Sequence, residues 1–194
     1  MTPLERLRRR AGIVRGAMRR GRDRVLHPMR HARARERLRA LGRPTTILVV
    51  CHGNICRSPY LARLLQRALP DVRVASAGFV GPDRASPPHA VTAAARRGVN
   101  LETHRSQLLN RDLVRSAELA IVMDQRQARG LLRQGLAPER IVVAGDLDPE
   151  PSDQRVIQDP FGQPLDAFAM SYARLDRCAL FLVETLPPPR ISRG

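Results

Sequence analysis

The sequence predicts an α/β fold, a four-stranded parallel sheet with helices on both faces, preceded by a basic N-terminal extension. Three observations predict it. The run at 46–50 is short, β-branched and apolar, as a strand covered on both faces must be, and further short strands are expected at 72–75, 119–122 and 141–143. Helical spacing recurs between and after them, at 60–69, 89–97, 111–115, 124–132 and 166–185. The length of 194 residues, 43% of them hydrophobic, suits one sizeable core with an appendage rather than two large domains.

Residues 1–43 form the extension. They hold 15 Arg and three acids (Glu5, Asp23, Glu36), a net +12 of the chain's +16, and leave the remainder nearly balanced at +4. Leu4, Leu7, Ala11, Val14 and Met18 are spaced three, four, three, four, which puts a narrow apolar stripe on a basic helix until Gly21 and Pro28 interrupt it. Such a helix suits contact with an anionic membrane surface or with RNA. A solvated Arg-rich tail is the plainer alternative, and Met18 or Met29 would serve as a later start. No continuous apolar segment marks the extension as a secretory signal.

Every basic residue other than histidine is Arg, so lysine chemistry is excluded: no Schiff base, no lysine-bearing phosphate loop, no pyridoxal anchor. Nor does any apolar run approach the ~20 residues of a membrane-spanning helix. Three Cys argue against a disulfide framework and suit a reducing cytoplasm.

The first strand runs directly into Cys51-His52-Gly53-Asn54-Ile55-Cys56-Arg57-Ser58-Pro59, and a helix follows, with Ser58 expected as N-cap and Pro59 at its first position. A Cys and an Arg flanking five residues, between a buried strand and a helix start, make a compact anion-binding loop. Its backbone N–H groups can converge as a nest, and the helix N-terminus adds positive potential. Arg57 supplies a planar fork matched to two phosphate oxygens. The same field favours the thiolate of Cys51, which would attack phosphorus in line and form a phosphocysteine. Ser58 can donate to that sulfur, and Gly53 and Asn54 are expected to supply left-handed backbone.

Expulsion of the leaving group needs an acid. Asp159, in Asp159-Pro160-Phe161 of an acidic, Pro-rich loop at 145–164, is the candidate, with Pro160 holding an extended turn and Phe161 expected to wall the cleft. Asp146, Asp148, Glu150 and Asp153 are read as solvated loop charges. The tail at 187–194 is expected to fray.

These residues resemble the low-molecular-weight protein tyrosine phosphatase family. The matching features are the loop from Val50 to Pro59, Ser76-Ala77-Gly78, His104-Arg105-Ser106, Val122-Met123-Asp124 and Asp159-Pro160-Phe161, in order across roughly residues 46–186, which places the phosphatase-like domain at 44–186. The resemblance implies metal-free, cofactor-free hydrolysis of phosphomonoesters, with phosphotyrosine-bearing proteins as substrates. It makes Cys51 the nucleophile, Arg57 the phosphate clamp and Asp159 the acid and base, with Asn54 and Ser58 in mutual hydrogen-bond contact. Phosphoarginine-directed relatives carry Thr where this chain has Ile55, so Ile55 favours an aryl phosphate. Phe161 stands where Tyr is commoner, Tyr60-Leu61-Ala62-Arg63 lacks the usual acid, and His52 is expected to face its side chain away. Cys56 is either a partner for a reversible disulfide with Cys51 or a packed thiol; Cys178 is read as core.

An arsenate reductase of the same fold needs further Cys midway along the chain, and residues 57–177 contain none. The remaining alternative, a non-catalytic phosphate-binding module, is disfavoured by the intact Cys51, Arg57 and Asp159 set.

Overall fold

The computed structural model describes residues 3–189, without most side chains before residue 16 or that of Arg19. Helix α1 (Pro3–Leu41) leads into β1 (Thr46–Cys51), α2 (Arg57–Ala68), β2 (Arg73–Gly78), α3 (Pro88–Ala95) and α4 (Arg111–Ser116). Then come β3 (Leu119–Val122), α5 (Gln125–Arg133), β4 (Ile141–Val143) and α6 (Leu165–Thr185). The four strands form one parallel sheet in the order β2-β1-β3-β4, with Cys51 beside Gly78 and Val50 beside Val122.

Alternation along each strand divides the core. Ile47, Val49, Cys51, Leu119, Ile121 and Val142 face α2, α3 and α6, whereas Leu48, Val50, Ala120, Val122 and Val143 face α4 and α5. In β1, β3 and β4 both faces are covered, which is why their sequences are almost wholly apolar rather than alternating, whereas the edge strand β2 begins on exposed Arg73 and is only partly buried. Because β1 ends on Cys51 and β1 and β3 are the inner strands, the loops beyond β1 and β3 open together at one edge, where ligands of such sheets bind.

The extension departs from the expectation. Helix α1 continues across both Gly21 and Pro28. An interior proline forfeits a backbone bond and costs about 3 kcal/mol, so something else must hold the helix there. Pro28 is exposed, and the opposite face is tied to the body of the protein. His27 Nε2 lies 2.9 Å from the Asp148 carbonyl, His31 Nδ1 lies 3.0 Å from the Asp146 carbonyl, and Arg37 donates to the Ile141 carbonyl at 2.6 Å. Asp23 accepts from Arg30 at 2.9 Å and from the Arg155 amide at 3.4 Å. Ala34 and Leu38 enter the α6-side core, Leu38 with no exposed surface, and the Arg35 guanidinium sits over the Phe181 ring. Tertiary contacts therefore override the two local breakers.

Arg37 thereby ties α1 to the first residue of β4, the edge strand of the sheet. The apolar stripe at Leu4, Leu7, Ala11 and Val14 falls outside the described side chains, and Met18 is exposed. Expected contact with an anionic membrane surface or RNA would fall to this outer half of α1. Residues 190–194 of the tail lie outside the described residues. Among the described residues no helix is long and apolar enough to cross a membrane.

Two of the four acids read as solvated are buried instead. Asp148 is fully buried and held by Arg174 at 2.8 Å and Arg177 at 2.8 Å; burial pushes its carboxyl up, but the two guanidiniums outweigh that and hold it below the usual range. Asp146 is buried beside Arg155, while Glu150 and Asp153 remain exposed.

Candidate active site

Residues 51–58 curl tightly between the end of β1 and the first turn of α2. Asn54 takes the left-handed conformation, φ 51°. Gly53 does not; what it requires is room, since a Cβ there would lie 2.6 Å from the Arg84 guanidinium. Helix α2 begins at Arg57, two residues earlier than expected, and its cap position is Cys56 with no side-chain cap. Ser58 is thereby inside the helix and its hydroxyl is used elsewhere.

That hydroxyl lies 3.0 Å from Cys51 Sγ, and the Asn54 amide donates to the same sulfur at 3.2 Å. Asn54 Nδ2 donates to Ser58 Oγ at 2.9 Å and to Ser76 Oγ at 2.9 Å. Because Ser58 Oγ already accepts from Asn54, its own proton is free to point at the sulfur, the orientation that stabilises a thiolate. Asn54 Oδ1 accepts from the Gln107 amide at 2.9 Å, and the Asn54 carbonyl accepts from His104 Nε2 at 2.6 Å. Asn54 is thus the hub that fixes the loop from both sides.

Arg84, which the sequence does not single out, clamps the outside of the loop. It donates to the carbonyls of Gly53 at 3.0 Å, Val80 at 3.1 Å and Gly81 at 3.1 Å. The His52 carbonyl accepts from the amides of Phe79 and Val80, while its side chain is exposed at the rim. Gly78 permits this approach: a Cβ would stand 2.8 to 2.9 Å from the backbone of residues 52–54. Ile55 and Cys56 are buried. Cys51, Cys56 and Cys178 are all free thiols, and burial pushes the Cys56 thiol up to about 12.

Arg57 is 3% exposed and donates to the Ile157 carbonyl at 2.8 Å. Its second terminal nitrogen pairs with Asp159, and its Nε has no partner. A buried guanidinium N–H without an acceptor is costly, and it marks a position where an oxyanion would be bound. The structure thus brings Cys51, Arg57, Ser58 and Asp159 to one end of the sheet. A hollow of about 450 Å³ opens beside them, with His52, Arg57, Phe79, Gln158 and Asp159 in its lining. Phe161 is placed differently from the expectation. It is 58% exposed and absent from that lining, and Phe79 supplies the aromatic wall instead. The Phe161 amide donates to Asp159 at 3.3 Å, so its contact with the acid is through the backbone. Among the described residues no cluster of His, Cys, Asp or Glu is arranged to hold a metal.

His104 resembles His31 in one respect: burial pushes both below the ordinary histidine value of 6.5, against the pull of the carbonyls they meet. Arg63 and Arg105 reinforce the shift at His104, Arg35 and His27 at His31. A lowered folded-state value means that the unfolded chain binds more protons just below about pH 6.5, so stability falls as pH drops through that region. We expect the melting temperature to decline between pH 7.5 and 5.5. Substituting both His31 and His104 with Gln should flatten that decline; an equally steep decline in the double variant would assign it to other groups.

The comparisons with known proteins bear on this geometry. Residues 46–188 match the model of the family described as low molecular weight phosphotyrosine protein phosphatase. The chain belongs to that family. It is 38% identical over 139 residues to the low molecular weight protein-tyrosine-phosphatase Wzb of Escherichia coli (strain K12), covering 69% of this chain and 89% of that protein. The structure of the Erwinia amylovora tyrosine phosphatase amsI matches with a TM-score of 0.68 at 32% identity, over 75% of this chain and 95% of that one. The YwlE arginine phosphatase of Geobacillus stearothermophilus matches at 0.65 and 28%, over 73% and 92%. The family accounts for the sheet, the Cys51 loop and the enzyme's cysteine-dependent phosphatase class. The match begins at residue 46 and so leaves out α1 and its packing against this low molecular weight phosphatase domain.

Proposed function

We propose that this phosphatase hydrolyses phosphotyrosine in protein substrates through a phosphocysteine on Cys51, with Arg57 clamping the phosphate and Asp159 moving the proton. The observation that carries this reading is the convergence on one loop of a sulfur held by Ser58 and Asn54 and a buried Arg57 whose Nε lacks an acceptor. Phosphate oxygens entering the loop replace Asp159 on the Arg57 fork, and the freed carboxylate, no longer paired and now beside the phosphate's charge, takes up a proton from solvent and faces the leaving group. The Cys51 thiolate attacks phosphorus, the P–O ester bond breaks, and the departing oxygen takes the proton of Asp159. Asp159, now a carboxylate, accepts a proton from water as that water attacks the phosphocysteine, which releases phosphate and restores the thiolate. The buried Ile55 of the loop supports an aryl phosphate over phosphoarginine.

With a phosphotyrosine peptide, Asp159→Asn should lower kcat by about 100-fold or more. Binding of inorganic phosphate should stay close to that of the unmodified protein. Unchanged turnover would move the acid to another residue.

We also propose that Cys56 protects Cys51 from over-oxidation. Peroxide converts the Cys51 thiolate to a sulfenic acid with loss of hydroxide, and the Cys56 thiolate then displaces hydroxide to close a disulfide. Burial pushes the Cys56 thiol up to about 12, so closure should speed up as pH rises. Peroxide-inactivated enzyme should recover with dithiothreitol, and Cys56→Ser should lose most of that recovery. Equal recovery in the variant would leave Cys56 a packed thiol.

A further inference from the structure

The hollow beside Arg57 has a second basic wall that the phosphate chemistry leaves unused. Helix α5 contributes Arg126 and Arg133 to its lining. Seven residues apart, they lie on one face of the helix, about 10 Å from each other along its axis. Both side chains are exposed, and among the described residues neither guanidinium has a hydrogen-bond or ion-pair partner. Between them Gly130 leaves a gap occupied by the Phe79 ring: a Cβ at 130 would lie 2.7 Å from two of its ring carbons. The face therefore presents an aromatic floor flanked by two cations.

Two acids share this hollow with three arginines, Asp124 and Asp159 against Arg57, Arg126 and Arg133, so its lining keeps a formal charge of +1. Asp124 accepts from the amides of Arg126 at 2.7 Å and Gln127 at 2.8 Å, which commits its carboxylate to capping α5. Asp159 is paired with Arg57. His52 is the remaining titratable group at the rim.

Resting on the phosphatase reading above, we propose that Arg126 and Arg133 are specificity determinants that select phosphotyrosine segments carrying a further anionic side chain next to the phosphorylated residue. An extended peptide advances about 3.4 Å per residue, so a separation of about 10 Å lets the two guanidiniums meet anions on positions about three residues apart while the phosphotyrosine enters the loop. A carboxylate and a second phosphate present the same chemistry to an arginine fork. Exposed pairs of this kind are individually weak, so the selectivity is modest and sensitive to salt.

The test compares kcat/KM for three phosphotyrosine peptides of one backbone, with flanking Ala, flanking Glu or a flanking phosphoserine. At low ionic strength the unmodified protein should favour at least one anionic peptide over the Ala peptide by about three- to ten-fold. The anionic peptide that gains most identifies which anion the wall takes. The preference should collapse in 0.5 M salt, vanish in R126Q/R133Q and invert in R126E/R133E. Both positions are exposed on α5, and circular dichroism of the variants checks that the helix is kept. Equal kcat/KM for all three peptides with the unmodified protein, or a preference that survives charge reversal, would overturn this inference while leaving the phosphatase reading intact. Absence of hydrolysis with every peptide would overturn that reading and this inference together.

Discussion

Cys51→Ser is expected to remove hydrolysis of p-nitrophenyl phosphate almost completely, by about 10⁴-fold or more, while leaving the fold and oxyanion binding in place. The asymmetry follows from the loop's construction. Its shape is held by Asn54, Arg84, His104 and the approach of Gly78, none of which depends on the sulfur except for the single contact from the Asn54 amide. The phosphate site, with Arg57 and its unpartnered Nε, is equally independent of it. A serine hydroxyl is a far weaker nucleophile than the cysteine sulfur on which the proposed reaction depends. Vanadate or phosphate binding measured by calorimetry should therefore persist in a protein with no turnover. Appreciable turnover in the serine variant would remove Cys51 from the reaction.

The second large effect concerns stability. Leu38→Ala should lower stability by about 3 kcal/mol, because Leu38 is fully buried and truncation leaves a cavity in the α6-side core. For a domain of this size that amounts to a fall of about 10 °C in melting temperature. A chain starting at Pro44 should lose more. It gives up Ala34 and Leu38 together and strips His27, His31 and Arg37 from the carbonyls of Asp148, Asp146 and Ile141. These carbonyls lie on the segment that runs from β4 toward Asp159, so loosening it should also reduce kcat. If the chain starting at Pro44 melts at the same temperature as the full protein, α1 is an appendage and the packing described above contributes nothing to stability.

How much of this was legible in the sequence differs from element to element for physical reasons. The strands and the Cys51 loop were readable because their signals are local: consecutive apolar residues, then Gly, Asn and Arg at fixed offsets, then a proline entering a helix. The limits of α1 were not, because Gly21 and Pro28 are genuine local breakers and only contacts more than 100 residues away, at Asp146 and Asp148, overrule them. The same long-range pairing turned Asp148 from a presumed loop charge into a buried anion between two arginines. Arg84 escaped notice because nothing near it in the chain distinguishes it from the other arginines; its role exists only once β2 brings residues 78–84 alongside residues 52–54. The aromatic wall was assigned to Phe161 on adjacency to Asp159, yet successive residues of an extended turn face different ways, and Phe79 reaches the hollow from another strand's end.

The central claim, a covalent phosphocysteine, is tested most directly by trapping. Asp159→Asn deprives the second step of its base, while p-nitrophenolate leaves without help from an acid, so the intermediate should accumulate. Rapid quenching of that variant with p-nitrophenyl phosphate, followed by peptide mass spectrometry, should find one phosphoryl group on Cys51. A turnover-competent protein with phosphate on another residue, or with none on any residue at every quench time, would contradict the account.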